Sequence, residues 1–266
     1  MGVFLRELVA FFRMFPVFIL LSLSACVETS DDMGRYIEPL SVPEKTDQLL
    51  LVTAPSWDDS EATLRLYSRT EVGWKMEGDE IPVVLGRNGL AWGVGLHAFG
   101  LPGRHKIEGD GRTPAGIFEL GTVFGYEPQR PSGSSFPYRQ ATEDDYFIDD
   151  IGSADYNRWV SLADSTEKNP HHFWKTFERM RRDDRLYELG IVVKHNMNPT
   201  LKGMGSAIFL HVWRGPGQPT AGCTAMSKKH LLTVIRRLDP RKRPLLVQLP
   251  EDELKRGRIR VLSLPI

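Results

Sequence analysis

The chain has two cysteines in 266 residues, no net charge, and no apolar run long enough to cross a bilayer. So few cysteines exclude a small fold held by a dense disulfide framework. Thirty-four basic against thirty-four acidic side chains exclude a polyanion binder driven by overall charge, and no local basic run suggests a nucleic-acid partner. The most apolar stretch, Met14 to Leu23 (MFPVFILLSL), falls well short of the roughly 20 residues a spanning helix needs. Long helices are also scarce, because 24 Gly and 18 Pro are scattered along the chain instead of being gathered in blocks. His97, His105, His171, His172, His195 and His230 form no H-E-x-x-H or paired C-x-x-C spacing, so neither a catalytic metal nor another cofactor is expected.

What is present begins with an export signal. Arg6 and Arg13 precede the apolar stretch, and Leu23-Ser24-Ala25-Cys26 follows it with the small residues of a processing site. Residues 1–25 are therefore expected to be a signal peptide. The last four residues resemble a bacterial lipobox, which implies a lipidated Cys26 as the first mature residue. Residues 26–47 (CVETSDDMGRYIEPLSVPEKTD) are polar and acidic with no period of 2 or 3.6, as a flexible tether would be. Residues 48–266 are expected to form one catalytic domain.

In that domain short runs of β-formers alternate with turn residues: LLLVTA, ATLRLYS, IPVVLG, GIFELG, YFIDD, IVVKHN, AIFLHVW, PLLVQL and IRVLSL. Two helices are expected. One spans His171 to Leu189, between Pro170 and Gly190, and the other spans Lys228 to Leu238, between Ser227 and Asp239-Pro240. The reading is a mostly β fold, a sandwich or closed barrel decorated by a few α-helices.

Chemistry concentrates in Gly205 to Met226, GSAIFLHVWRGPGQPTAGCTAM. A strand over Ala207 to Trp213 would put Ala207, Phe209, His211 and Trp213 on one face. Three Gly and two Pro between Arg214 and Gly222 let the chain double back and bring Cys223 to His211. A thiol beside an imidazole meets the basic need of a cysteine nucleophile, with His211 as general base and then acid and a lowered thiol pKa. Gly222 lets backbone N–H groups approach a developing oxyanion. Thr220, Trp213 and Arg214 flank the pair as candidate substrate contacts. By spacing alone, a buried structural Cys, a satisfied strand His, or a Cys26–Cys223 disulfide would also fit, although an acylated Cys26 could not pair. Gly109, Gly111 and Gly116 read as turn glycines, because G-D-G-R-T-P-A-G lacks the ending of a phosphate loop. His195 would share a face with Ile191 and Val193 and reads as a core or supporting residue.

The His211 strand followed by Thr220-Ala221-Gly222-Cys223 resembles the active-site motif of the L,D-transpeptidase catalytic domain (YkuD-like) family. The upstream segment from Glu108 to Gly121, with Thr113-Pro114-Ala115-Gly116-Ile117-Phe118, resembles that family's glycine-rich segment. The resemblance runs from about Leu49 to Pro250 and extends to Phe147–Asp150 (FIDD) and Tyr156-Asn157. It implies an L,D-transpeptidase-like fold and a cysteine acyltransferase of peptidoglycan stem peptides. In that chemistry Cys223 forms a thioester and an acceptor amine resolves it to a 3-3 cross-link. Water as acceptor would make an L,D-carboxypeptidase, and an inert wall-binding lipoprotein is the reading from another class. Ala221, Thr224 and Ala225 depart from the polar residues common around the family's Cys, which bears on donor contacts.

Export with a lipidated Cys26 implies a membrane-held protein facing the periplasm or wall. In a two-membrane bacterium the outer membrane is expected, since Val27 is not the Asp that retains lipoproteins at the inner one. Fractionation of the wild type against Cys26→Ala tests this: the wild type should stay with membranes through a salt wash and the variant should not. Equal distributions would show that Cys26 carries no anchor.

Overall fold

The structure, a computed structural model, describes residues 40–97, 100–256 and 259–260. The expected signal peptide, Cys26 and most of the tether lie outside the described residues. Residues 42–47, the end of the expected tether, belong to the fold: Val42 packs on the core, Thr46 is buried, and the Asp47 N–H donates to Lys242 O.

Eight strands close on themselves: β1 (Gln48–Ala54), β2 (Glu61–Thr70), β3 (Ile81–Val84), β4 (Thr113–Gly125), β5 (Leu189–Val193), β6 (Phe209–Val212), β7 (Thr224–Met226) and β8 (Leu245–Pro250). Round the ring the order is β5-β6-β7-β3-β2-β1-β8-β4 and back to β5. Of the two architectures expected, the closed barrel is the one formed. Closure removes the exposed edges that a sandwich would have to protect. Neighbours are antiparallel except β6–β7 and β8–β1.

β1 and β8 are buried along their whole length, which explains their near-continuous apolar sequences LLLV and LLV. Pro114 is tolerated because it is the second residue of β4. Helix α1 (Lys228–Arg237) forms as expected. Ser227 Oγ accepts from the His230 N–H, and Leu231, Val234 and Ile235 present one apolar face to the barrel core.

Residues 126–188, between β4 and β5, roof the outer face of the barrel. They carry a small antiparallel sheet of Asp145–Phe147, Trp159–Ser161 and Glu178–Arg179. Beneath it Phe209 meets Phe124, Phe147 and Tyr187 edge-on, with ring centroids 5.3, 5.1 and 5.3 Å away.

The helix expected over His171–Leu189 is not there. Only Pro170–His172 turns, as a 3-10 helix, and the rest is loop and the short strand Glu178–Arg179. Two physical reasons explain the difference. The buried residues Trp174, Met180, Leu186, Tyr187 and Leu189 sustain no i, i+3, i+4 pattern and so form no helical face. Arg185 adopts φ 58°, and Asp184 Oδ1 accepts the Leu186 N–H in a local turn that competes with helix. The strand expected over 207–213 is also shorter, since Ala207 has φ 53° and pairing begins at Phe209.

Gly190 on β5 lies beside Phe124, and a Cβ there would come within 2.2 Å of the Phe124 ring. Gly190→Ala should therefore destabilise the fold by about 1–3 kcal/mol through displacement of that ring. Denaturant unfolding reads the difference, and an unchanged midpoint would mean the aromatic cluster yields without cost.

Candidate active site

β6 alternates as a strand must. Leu210 and Val212 join the barrel core, while Phe209 and His211 face out beneath the roof. β7 lies parallel to it with His211 opposite Ala225 and Leu210 opposite Thr224, so Cys223, just before β7, comes abreast of Phe209. The Phe209 N–H donates to Cys223 Sγ at 3.3 Å, and the thiol donates to Ala207 O at 3.4 Å. Both Cys223 and His211 are buried, at 8% and 5% exposure.

They line a single cavity of about 270 Å³ together with Trp213, Arg214, Thr220 and Gly222. Every candidate site residue from the sequence except Cys26, which lies outside the described residues, is thus brought to one place. No hydrogen bond joins the thiol to the imidazole. His211 Nδ1 donates to Val212 O at 2.8 Å, which leaves Nε2 as the basic nitrogen. The Tyr187 ring stands edge-on to the imidazole, 5.2 Å between centroids.

Burial sets both protonation states. Loss of solvent pushes the Cys223 thiol up to about 12, although the Phe209 N–H opposes it, and pushes the His211 imidazole down to about 4, against its bond to the Val212 carbonyl. The resting pair is neutral, so the lowered thiol pKa expected from the sequence is not what the fold provides.

Gly222 has φ 155°, and a Cβ there would approach Arg112 O at 3.0 Å, so the turn needs glycine. Its N–H is committed to Thr220 Oγ1 at 3.0 Å, and the Thr220 N–H bonds Leu85 O. In the Thr220–Cys223 turn the Ala221 and Cys223 N–H groups have no acceptor among the described residues, and these are the donors open to an oxyanion. Thr220 holds the turn together instead of presenting a free hydroxyl. Arg214 reaches Asp184 at 3.7 Å across the mouth of the cavity.

The same cavity has lining residues that were not named as site candidates from the sequence: Glu108, Asp149, Glu178, Arg182 and Tyr187. Arg182 bonds Glu178 at 2.9 Å, and desolvation raises the Glu178 carboxyl above its usual range. The FIDD and YN segments were the available signal. Asn157, at φ 61°, accepts the Ala207 N–H and donates to the His195 and Asn196 carbonyls, which fixes the left-handed bend at Ala207 beside the thiol. His195 has the supporting role expected. It accepts the Val94 N–H on Nδ1 and donates from Nε2 to Met204 O, and burial drives its pKa down to about 3. Gly109 and Gly111, at φ 72° and 68°, form the expected turn into β4, whereas Gly116 lies within β4 itself, where a Cβ would strike the His97 ring. Among the described residues no three His, Cys, Asp or Glu side chains converge as metal ligands.

The described residues form a closed β-barrel that presents a buried cysteine and histidine to one cavity beneath an inserted roof. Residues 57–247 match the model of the YkuD family, the L,D-transpeptidase catalytic domain, and the chain belongs to that family. No curated protein sequence matches it. Among solved structures it is similar to the helical cell shape determining protein Pgp2 from Campylobacter jejuni, at 17% identity and a TM-score of 0.38, over 80% of this chain and 50% of that one. It is also similar to Bd1075 from Bdellovibrio bacteriovorus, at 14% identity and a TM-score of 0.37, over 83% of this chain and 56% of that one. The chain spans about half the length of those proteins.

The histidine shifts predict an acid response. An imidazole whose folded pKa lies below its unfolded value near 6.5 makes the unfolded state bind more protons, so stability falls as pH drops from about 6.5 towards 4. Denaturant melts at pH 7 and pH 4.5 should show a smaller loss for His211→Gln than for the wild type. Identical losses would mean that His211 is protonated in the folded state.

Proposed function

We propose that this protein is an L,D-transpeptidase acting on peptidoglycan stem peptides, with Cys223 as nucleophile and His211 as general base and acid. The observation that carries the reading is that Cys223 and His211 line one cavity, in a chain of this family. A neutral resting pair suits general-base attack. The thiol gives its proton to His211 Nε2 as Sγ closes on the carbonyl of the L,D-peptide bond. The oxyanion is met by the Cys223 N–H, with the Ala221 N–H beside it, because the Gly222 N–H is already bonded. His211 then protonates the departing amine of the terminal D-residue, which leaves a thioester on Cys223. An acceptor amine attacks the thioester and its proton passes to His211, giving the 3-3 cross-link. Water in its place gives the carboxypeptidase product.

Trp213 and Arg214 at the cavity wall are the proposed contacts to the donor peptide. We further propose that lipidation at Cys26 holds the domain on a membrane facing the wall.

Incubating the full protein with disaccharide tetrapeptides and weighing protein and products tests the chemistry. An adduct on Cys223 equal to the donor less its terminal D-residue is expected in the wild type and absent in Cys223→Ser. That variant should keep its stability within about 1–2 kcal/mol. Turnover that survives in Cys223→Ser would remove the cysteine from the mechanism, and the ratio of cross-linked to trimmed product identifies the acceptor.

A further inference from the structure

Cys223 and the residue after it are held by a dipeptide 110 positions upstream. The Thr113 hydroxyl, fully buried, donates to the Cys223 carbonyl at 3.1 Å and accepts the Gly86 N–H at 2.8 Å. The Thr220 hydroxyl reaches the same carbonyl at 2.7 Å. One residue further on, the Thr224 hydroxyl donates to Gln248 Oε1, and Gln248 Nε2 donates to Pro114 O at 3.2 Å. Gln248 is 0% exposed, and its neighbours on β8 are apolar. A buried polar side chain in an apolar barrel is retained only where its partners are satisfied, and here both ends of the amide are used.

From this geometry we infer that Thr113, with Pro114 and Gln248, is a positioning device for the nucleophile. Thr113 ties Cys223, and the Gln248 amide ties Thr224 back to Pro114. Together they fix the peptide plane that follows the nucleophile, and through it the Cα from which the thiol and the Cys223 N–H project. Acyl transfer is sensitive to errors of a fraction of an ångström at these atoms. Thr113 touches no reacting atom and acts through the Cys223 carbonyl. The Thr113-Pro114 motif thereby acquires a physical role. The threonine hydroxyl serves the nucleophile, and the proline carbonyl accepts from the amide of Gln248. This inference rests on the acyl-enzyme reading above.

The test compares wild type, Thr113→Val, Thr113→Ser and Gln248→Met as full-length proteins. Thermal melts and circular dichroism establish which are folded. The first readout is the rate at which a disaccharide tetrapeptide acylates Cys223, followed by intact mass at several peptide concentrations. Thr113→Val should acylate about tenfold or more slowly, with the half-saturating concentration changed by less than about twofold. Thr113→Ser, which keeps the hydroxyl, should recover most of the rate, and Gln248→Met should fall between Val and wild type. Wild-type rates in folded Thr113→Val, or a Ser variant as slow as Val, would overturn the inference. If Thr113→Val does not fold, Gln248→Met decides, and a wild-type rate there refutes the clamp.

The second readout is alkylation of Cys223 by iodoacetamide, which needs no acyl transfer. Loosening the turn should uncover the thiol and speed alkylation severalfold in Thr113→Val over wild type. If the wild type takes no acyl group, the acyl-enzyme reading fails on its own. The clamp is then judged by alkylation, where equal rates would refute it.

Discussion

The parallel pairing of β6 with β7 is the constraint on which the candidate site depends. Two parallel neighbours cannot be joined by a tight hairpin, so the chain must leave the end of β6 and travel back before β7 can begin. Residues 213–223 make that return, and their Gly215, Pro216, Gly217, Pro219 and Gly222 suit a path of successive turns. Because the return ends at the start of β6, Cys223 arrives beside Phe209, and His211 lies two residues along on the same face. The barrel's closure then fixes this pair of strands between β5 and β3, so the cysteine and histidine are set by the closed ring of strands.

Burial does the electrostatic work. The roof formed by residues 126–188 takes the thiol and imidazole out of water and disfavours the charged form of each, which yields a neutral pair with Nε2 of His211 as the basic nitrogen. Charge appears only when a substrate carbonyl supplies somewhere for it to go, and donors for that charge are already present in the Cys223 turn. The same roof brings Asp149, Glu178 and Arg182 to the cavity, where Glu108 joins them, so charged side chains line the same space as the thiol and the imidazole.

Much of the support for the nucleophile comes from far along the chain. Thr113 and Gln248 secure Cys223 and Thr224 from below, while Asn157 fixes the left-handed Ala207, whose carbonyl accepts the thiol proton. Each is a buried polar residue with one hydrogen bond to the backbone beside the thiol or to Thr224 and its other bonds satisfied elsewhere in the fold, which explains polar side chains where packing alone would favour apolar ones.

The sequence by itself determined the β character and helix α1, and it named Cys223 and His211 through the resemblance of their motif, since spacing alone left a structural cysteine and histidine open. The first two rest on local rules: short runs of β-formers between turn residues, and a Ser cap with an i, i+3, i+4 apolar face. Local rules failed over 171–189, where aromatic and charged residues looked helical. Their burial is dictated one residue at a time by the roof, and Arg185 takes a left-handed turn that no period reveals. Closure into a barrel instead of a sandwich, the loss of the Gly222 N–H to Thr220, the raised thiol and the charged lining of the cavity were decided only by tertiary structure. Nearly all of them depend on contacts between segments tens of residues apart, and such contacts leave no pattern within the short windows on which propensity and periodicity act.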